Sequence, residues 1–135
     1  MKTGADGCRV IRSGEAYHGK QGLTYMRGLT GDTAGSKSIC MTVLEMPDGA
    51  RAKTHLHRGI ETAAYVIDGR AEMFWGPRLE HHLEAGAGEF MFIPADVPHL
   101  VMNRSGTTCT ALVAHTAASD QDGIVLLPEL DVLIR

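Results

Sequence analysis

The 135-residue chain lacks the features that would assign it to two common classes of protein. No apolar run approaches the roughly 18 residues of a membrane-spanning helix, so we predict no membrane segment. The 13 lysine and arginine residues against 16 aspartate and glutamate residues give a net charge of -3. This balance offers no basic surface for nucleic acid. We therefore expect neither a membrane nor a nucleic acid as a partner.

The cysteines are too few and too far apart to form a disulfide framework. Cys8, Cys40 and Cys109 also lack the C-x-x-C spacing of a zinc knuckle. We predict that they are reduced thiols that behave as small apolar residues. Because residues 1–14 lack the apolar core of a signal peptide, we expect a cytoplasmic protein. The length favours one domain that covers residues 1–135.

Turn-forming residues are frequent, since 16 glycines and 5 prolines punctuate the middle of the chain at short intervals. They separate eight short segments that are rich in apolar and β-branched residues, at 38–46, 52–57, 62–67, 70–75, 78–84, 89–93, 99–103 and 107–116. No amphipathic helix is evident among these segments. The pattern predicts an all-β protein, an antiparallel sandwich or barrel.

The two ends of the chain are predicted to add to this structure. We place N-terminal strands within residues 1–46, with 8–11 and 22–27 as further candidates. The tail, residues 117–135, contains a segment at 123–134 that is apolar for a chain end. We predict that it caps one end of the barrel, packs on a second subunit, or does both. It leads us to expect a homodimer.

Two histidines one residue apart point to the chemistry of the protein, within the stretch "THLHRGIE" at 54–61. Residues i and i+2 of a strand face the same side. His55 and His57 can therefore present two imidazoles to one metal ion. Glu61 follows after a short turn, from which its carboxylate can reach the same ion.

A third imidazole is available from His99, which starts a predicted strand after two prolines. By strand alternation, Val101 and Asn103 share the face of His99 and are predicted to line the interior. A histidine that points inward among apolar residues is costly unless it is paired, and a metal ion would satisfy it.

These residues stand in the order and spacing of the two motifs of the cupin superfamily, which the sequence resembles. The first motif, Gly-x5-His-x-His-x3–4-Glu-x6-Gly, is similar to residues 49–69, and the second, Gly-x5-Pro-x-Gly-x2-His-x3-Asn, is similar to residues 88–103. Only the 18 residues 70–87 separate the motifs, which is typical of small single-domain, RmlC-like members. The resemblance implies an antiparallel double-stranded β-helix, or jelly-roll barrel.

The resemblance also implies the ligands of one divalent transition metal ion, namely His55, His57, Glu61 and His99. Such a donor set suits iron, manganese, nickel, copper or zinc. The implied function is a metal-dependent enzyme that acts on a small-molecule substrate, with oxygenase ranked ahead of decarboxylase, isomerase and cyclase. The alternatives are a non-catalytic module that binds a small molecule or metal, and a metal-free structural barrel.

The sequence departs from the family pattern in two places. Asp96 stands where the second motif has its middle glycine, and the fold is expected to survive because aspartate tolerates turn conformations. Counting back six residues from Gly69 leads to Thr62 and not to Glu61. Either a bulge turns Glu61 inward, or Thr62 points in and three histidines with water form the site, since a one-residue shift swaps the faces of a strand. We adopt Glu61 as the ligand.

Two more side chains are predicted to line a substrate pocket beside Val101 and Asn103. Strand alternation puts Tyr65 on the face of Glu61. His115 ends an apolar strand, and if its face is inward it lines the cavity and can act as an acid or base.

Overall fold

The structure, a computed structural model, describes residues 7–135, and in that range it contains eleven strands and two four-residue helices. They are β1 (Ala16–His18), β2 (Thr24–Leu29), α1 (Gly31–Ala34), β3 (Cys40–Met46), β4 (His55–His57), β5 (Thr62–Asp68), β6 (Arg70–Trp75), β7 (His81–Gly86), β8 (Phe90–Ile93), β9 (His99–Met102), β10 (Cys109–His115), β11 (Ile124–Leu126) and α2 (Pro128–Asp131). Residues 1–6 of the predicted N-terminal segment lie outside the described range. Neither helix in that range is long and apolar enough to cross a membrane.

The strands form two antiparallel sheets that enclose one apolar core. The six-stranded sheet has the order β1-β2-β3-β10-β5-β8, and the five-stranded sheet has the order β11-β4-β9-β6-β7. From β3 to β11 the chain crosses from one sheet to the other at almost every connection, which is the jelly-roll arrangement. Leu44, Val66, Met73 and Val101 are among the core side chains. The predicted all-β jelly-roll barrel is therefore confirmed.

A glycine turn bounds the strand that the sequence marks most clearly. Gly69 joins β5 to β6 with a φ of 84°. A Cβ added at this position would lie 2.3 Å from the carbonyl oxygen of Thr108. Only glycine fits so close to another strand in this conformation. The predicted strand at 70–75 coincides with β6 as a result.

Three predicted segments differ from the structure. The segment predicted at 52–57 forms a strand only from residue 55 onward. The segment 8–11 forms no strand. The segment predicted at 78–84 becomes a strand only from residue 81 onward. The cause is a longer turn, in which Leu79 has a φ of 53° and the backbone N–H of Arg78 donates to the Glu80 carboxylate at 3.0 Å.

The apolar tail packs against its own chain. Strand β11 pairs with β4 at the edge of the five-stranded sheet. Beyond it, Leu130 and Ile134 pack against the cluster of Leu100 and Met102. The Arg51 guanidinium donates to the carbonyl of Ile134 at 2.6 Å and helps to hold the tail there. Leu130 and Ile134 are engaged within the chain and so give no support to the expected homodimer.

The three cysteines are free thiols, with Cys40 and Cys109 buried and Cys8 exposed. Burial raises the pKa of Cys40 to about 11, so this thiol stays protonated at neutral pH. The two buried cysteines fill small apolar spaces in the core, in agreement with the prediction for them. A cytoplasmic location stays a prediction.

Candidate metal centre

Three buried histidines meet where β4 and β9 pair. His55 and His57 lie on β4, and His55 pairs with His99, the first residue of β9. One ring nitrogen from each of the three lies within 4.8 Å of those of the other two. The three residues are 3%, 4% and 3% exposed. The structure thus brings the two imidazoles that strand alternation places on one face of β4 together with a third imidazole from β9.

Backbone carbonyls orient two of these imidazoles. Nδ1 of His55 lies 2.7 Å from the carbonyl oxygen of Lys53, and Nδ1 of His99 lies 2.9 Å from that of Val97. Because a carbonyl oxygen only accepts hydrogen bonds, each Nδ1 carries the proton and each Nε2 keeps a free lone pair. Metal-binding histidines generally have their other ring nitrogen held in this way. Both residues therefore fit the role of a ligand through Nε2.

A fourth histidine joins the group from the six-stranded sheet. His115 ends β10 opposite Thr62, and its Nδ1 lies 2.8 Å from the Thr62 hydroxyl oxygen. The ring centres of His115 and His57 are 4.7 Å apart. Nε2 of His115 and Nδ1 of His57 are both buried without a hydrogen-bond partner. Such orphaned buried atoms are rare, and here they fit a centre that receives a metal ion or a small polar ligand.

Burial favours the neutral form of all four imidazoles. Desolvation, aided by the charge of His99, lowers the pKa of His55 to about 3. It also lowers the pKa of His99 to about 4 and that of His115 to about 4. The pKa of His57 is lowered by the same cause. Since only a neutral imidazole binds a metal ion, the centre is in its binding form at neutral pH.

These lowered pKa values predict that the metal-free protein loses stability in mild acid. The histidines of the unfolded chain take up protons below a pH of about 6.5, whereas His99 and His115 resist protonation until pH about 4. The unfolded state therefore binds more protons in this window, and the free energy of unfolding falls as the pH is lowered through it. We expect the urea midpoint of chelator-treated protein to decrease below pH 6.5. A midpoint independent of pH in this window would contradict the buried neutral histidines.

Glu61, the predicted fourth ligand, lies outside this group. Strand β5 begins at Thr62, which is buried beside His115, whereas Glu61 is exposed. Two hydrogen bonds hold this register: the Glu61 N–H donates to the Thr116 hydroxyl at 3.0 Å, and the Thr116 N–H donates to the Glu61 carbonyl at 3.1 Å. A one-residue shift swaps the faces of a strand. The structure therefore corrects the prediction of Glu61 as a ligand and favours its alternative, in which Thr62 points in.

The same register corrects the position of Tyr65. Thr62 and Ala64 are buried on the inner face of β5. Tyr65 does share the face of Glu61, but that face is the outer one. Its ring contacts the ring of Phe90 with a centroid distance of 4.7 Å. Tyr65 is therefore not a wall of the barrel interior.

Replacing Glu61 is consequently expected to leave metal affinity unchanged. Glu61→Gln removes the charge of an exposed side chain and keeps its size, so the three imidazoles are undisturbed. The measurement is a zinc titration in competition with a chromophoric chelator, compared with wild type. A loss of affinity of about ten-fold or more, which is the size expected for a ligand or its supporting group, would show that the carboxylate reaches the ion.

The two predicted pocket residues of the second motif have different roles. Val101 lines the barrel interior. Asn103 is buried, but its Nδ2 donates to the carbonyls of Met46 at 2.8 Å and Thr107 at 2.7 Å. Its Oδ1 accepts from the N–H and the hydroxyl of Ser105 at 3.0 Å and 2.7 Å. Asn103 therefore joins two loops, and its prediction as a pocket residue is corrected.

The space beside the histidines is small. A cavity of about 50 Å³ is walled by the four imidazoles, by Gln21 and by apolar side chains such as Leu44, Met73 and Ile93. One water molecule in the liquid takes about 30 Å³, and pockets for organic ligands usually measure about 300–1,000 Å³. The interior as it stands admits a molecule the size of water or dioxygen. A larger substrate requires the surrounding side chains to move, which the flexible Met73 and Met91 would permit.

A second group of possible ligands, Glu72, His82 and Glu84, lies on the surface. Glu72 accepts hydrogen bonds from Arg104 and from His82, the latter at 2.7 Å. The Arg104 guanidinium holds the pKa of Glu72 below its usual value. Glu84 is paired with Arg70 at 3.4 Å. Since their charges are already compensated, we assign no metal to these residues.

Comparison with known proteins identifies the family. Residues 42–115, more than half of the chain, match the cupin domain family. The chain therefore belongs to the cupin family, as its two motifs indicated. A search of curated protein sequences finds no match.

Solved structures share this fold. A mutant of Bacillus subtilis oxalate decarboxylase matches with a TM-score of 0.69 and 20% identity, over 84% of this chain and 30% of that chain. The Lactobacillus farciminis oxalate decarboxylase formate complex matches with a TM-score of 0.70 and 15% identity, over 84% of this chain and 33% of that chain. An uncharacterized Klebsiella pneumoniae protein with a double-stranded β-helix domain matches with a TM-score of 0.61 and 18% identity, over 69% of this chain and 73% of that chain. This chain spans about a third of the length of the two decarboxylases, and identities this low show the fold alone.

Proposed function

We propose that this cupin binds one divalent transition metal ion through His55, His57 and His99 and acts as an enzyme on a small organic molecule. The supporting observation is the buried group of mutually close imidazole nitrogens, two of them oriented by backbone carbonyls. Neutral imidazoles suit iron, nickel, copper and zinc, and manganese is the remaining candidate. When bound, such an ion supplies Lewis acidity and, if it is redox-active, electron transfer.

An all-imidazole ligand set favours a substrate with an anionic group. Among the described residues, no carboxylate belongs to the close group of three histidines, so the ion would keep its full positive charge. The buried Asp120 carboxylate is near enough to favour protonation of His57 and His115, but it is engaged with Tyr17. The attraction of the ion for a carboxylate or enolate oxygen is strengthened in an apolar interior. A small organic anion is therefore the proposed class of substrate.

Among reactions we rank dioxygenase-like oxidation first. The cavity of about 50 Å³ supports this ranking because it accommodates a dioxygen-sized molecule beside the histidines. Decarboxylation of a small carboxylate comes next, and two structural neighbours that are oxalate decarboxylases support it as a candidate. Isomerisation and cyclisation follow.

The enzyme proposal is tested with protein loaded separately with Fe(II), Mn(II), Ni(II), Cu(II) and Zn(II). Each form is given a panel of small hydroxy, keto and dicarboxylic acids, while dioxygen uptake and products are followed by electrode and mass spectrometry. His57→Ala, prepared in parallel, controls for chemistry of free metal. Turnover by a loaded wild-type protein alone supports the proposal. No turnover by any form that retains its bound metal would contradict it.

The second candidate is a non-catalytic module that binds a metal ion or a small ligand. The small interior favours it, because little room remains for a substrate beside an ion. A metal-free structural barrel has less support, since it leaves the two orphaned nitrogens of His57 and His115 unexplained.

We propose that His115 carries a proton to or from the substrate. Its Nδ1 is held by Thr62 and its Nε2 is buried without a partner, and it is not one of the three mutually close ligands. His115→Asn is expected to retain metal while turnover falls by about 10²- to 10⁴-fold, the usual contribution of acid–base catalysis. Metal content and turnover are measured on the same sample. A parallel loss of metal would instead make His115 a ligand.

A further inference from the structure

A buried glutamine in the turn between β1 and β2 forms part of the wall of the histidine cavity. Gln21 is 1% exposed and lines the same cavity as the four imidazoles. Its backbone carbonyl accepts a hydrogen bond from the N–H of Lys53 at 2.6 Å, and the carbonyl of Lys53 holds Nδ1 of His55 at 2.7 Å. One residue therefore fixes both the turn that carries Gln21 and a proposed metal ligand.

The turn leaves room for the Gln21 side chain through its glycines. A Cβ added at Gly19 would lie 2.5 Å from Oε1 of Gln21 and 2.8 Å from the ring of Tyr25. Gly22 has a φ of 89°, and its N–H donates to the carbonyl of Gly19 at 3.0 Å. Glycine meets both requirements, the close approach and the positive φ. The turn is thus shaped around a polar side chain that points inward.

A chain of hydrogen bonds fixes the orientation of the Gln21 amide. Oε1 of Gln121 accepts from the N–H of Lys20 at 2.8 Å, and Nε2 of Gln121 donates to the Asp120 carboxylate at 2.9 Å. Because a backbone N–H only donates and a carboxylate only accepts, these contacts orient the Gln121 amide. Its Nε2 also donates to Oε1 of Gln21 at 3.2 Å. The oxygen of Gln21 is therefore occupied, and the amide has only its Nε2 protons left to offer.

The Tyr25 hydroxyl is the partner of this amide. Tyr25 is 5% exposed and lines the same cavity. Burial and the charge of Asp120 raise the pKa of Tyr25, while a hydrogen bond from Gln21 partly opposes them. The phenol therefore keeps its proton at neutral pH, and a hydroxyl that accepts one hydrogen bond can still donate its own proton. Gln21 and Tyr25 together present hydrogen-bond donors on the cavity wall.

We propose that Gln21 and Tyr25 form a second binding subsite in the barrel, which receives the carbonyl oxygen of a 2-oxo acid whose carboxylate binds the metal ion. The inference rests on the proposed function and names the substrate class of the same site. A carbonyl oxygen only accepts hydrogen bonds, so it matches a pair of donors. A group that must donate, such as an ammonium group, finds the oxygen of Gln21 already occupied.

Charge and size narrow the class further. Asp120 is 2% exposed and accepts a hydrogen bond from Tyr17, and it is close enough to Tyr25 to raise the pKa of that residue. A second carboxylate placed on the donor pair would be repelled by this buried charge, whereas a neutral carbonyl would not. The cavity of about 50 Å³ favours the shortest acids of the class, with two or three carbons.

Anion binding to the full chain loaded with copper(II) tests the subsite, with the visible absorption of the ion as the readout. The probes are pyruvate and isobutyrate, which share a carboxylate and a similar shape but differ in the carbonyl oxygen. Gln21→Met keeps the length of the side chain and removes its donors. Its affinity for pyruvate is expected to fall about 10-fold, as for the loss of one or two hydrogen bonds, while its affinity for isobutyrate stays unchanged.

Two further variants make the result decisive. Lys20→Met changes an exposed side chain of the same turn and is the matched control, which is expected to bind both acids as the wild type does. Tyr25→Phe keeps the ring and removes the hydroxyl, so it is expected to lose affinity for pyruvate alone. It carries the test if Gln21→Met does not fold.

The outcomes separate the subsite from the metal centre. Equal pyruvate affinity in the wild type, Gln21→Met and Tyr25→Phe would overturn the subsite and leave the proposed function standing. An equal loss of affinity for both acids would also overturn it, because the side chains would then support the fold and not recognise a carbonyl. A wild-type protein that takes up no copper, or whose bound copper responds to neither acid, would contradict the proposed function, and the subsite would fall with it.

Discussion

Purified His57→Ala is expected to bind zinc or copper(II) at least about 100-fold more weakly than wild type while its barrel stays folded. Even a change in the groups that support a ligand costs about 10- to 100-fold in affinity, and this change removes a ligand outright. His57 is the most informative of the three positions because its Nδ1 has no hydrogen-bond partner. Its removal therefore breaks no close hydrogen bond to a backbone carbonyl, unlike the removal of His55 or His99. Competition against a chromophoric chelator measures the affinity, and circular dichroism measures the fold.

The matched control for this variant is His82→Ala. His82 lies on the surface, where its Nε2 contacts Glu72 at 2.7 Å, so its loss is expected to leave metal affinity at the wild-type value. His99→Ala is expected to lose affinity as His57→Ala does. If both core variants bound metal as wild type does, the three histidines would not be the ligand set.

Asn103→Ala is expected to lower the free energy of unfolding by about 3 kcal/mol or more, without a direct effect on the metal centre. The carbonyls of Met46 and Thr107 both lose their donor, and an unsatisfied buried polar group costs about 1–3 kcal/mol. Domains of this kind have a total stability of only about 5–15 kcal/mol. Urea denaturation of the metal-free protein measures the change.

Two further variants separate the donors of Asn103 from its size. Asn103→Asp keeps the shape and the acceptor oxygens but loses both N–H donors, so it is expected to be destabilised nearly as much as Asn103→Ala. Ser105→Ala removes the hydrogen bond from the Ser105 hydroxyl to Oδ1 of Asn103. It is expected to lower the free energy of unfolding by about 1 kcal/mol. If Asn103→Ala kept the stability of wild type and changed only substrate turnover, the original prediction of a pocket residue would be correct.

The sequence was most informative where a physical rule acts locally. The strand 70–75 is bounded by the turns Asp68-Gly69 and Gly76-Pro77. Both glycines have a positive φ, which glycine adopts far more readily than other residues. His55 and His57 share a face because alternation holds within any strand, however short. The family motifs then supplied the third imidazole, His99, from a strand that is distant in the sequence.

The errors share one cause, which is that register depends on a neighbouring strand. The outward position of Glu61 is held by Thr116, more than fifty residues away. Tyr65 was predicted to share the face of Glu61, so the error in the orientation of Glu61 also misplaced Tyr65. A signal was nevertheless present, since the spacing from Gly69 pointed to Thr62. Asn103 was correctly predicted to be buried. Strand alternation does not predict its hydrogen bonds to the carbonyls of Met46 and Thr107, because these lie on other segments of the chain.

The homodimer that was expected from the apolar tail stays a prediction. The tail is apolar, but its Leu130 and Ile134 pack on their own sheet and so give this prediction no support. The segments 38–46 and 62–67 are apolar at odd and even positions alike. A strand with one face in water usually alternates, whereas β3 and β5 carry apolar side chains such as Met41 and Tyr65 on the outer face of the six-stranded sheet as well.

Elemental analysis of untagged protein, purified without chelators, tests the central claim that buried neutral imidazoles form a metal centre. The account predicts about one transition metal ion per chain, with iron, manganese, nickel, copper and zinc as the candidates. The Glu61→Gln protein should contain the same amount, and His57→Ala should contain almost none. Wild-type protein that holds no metal, even after reconstitution with each of the five ions, would contradict the claim.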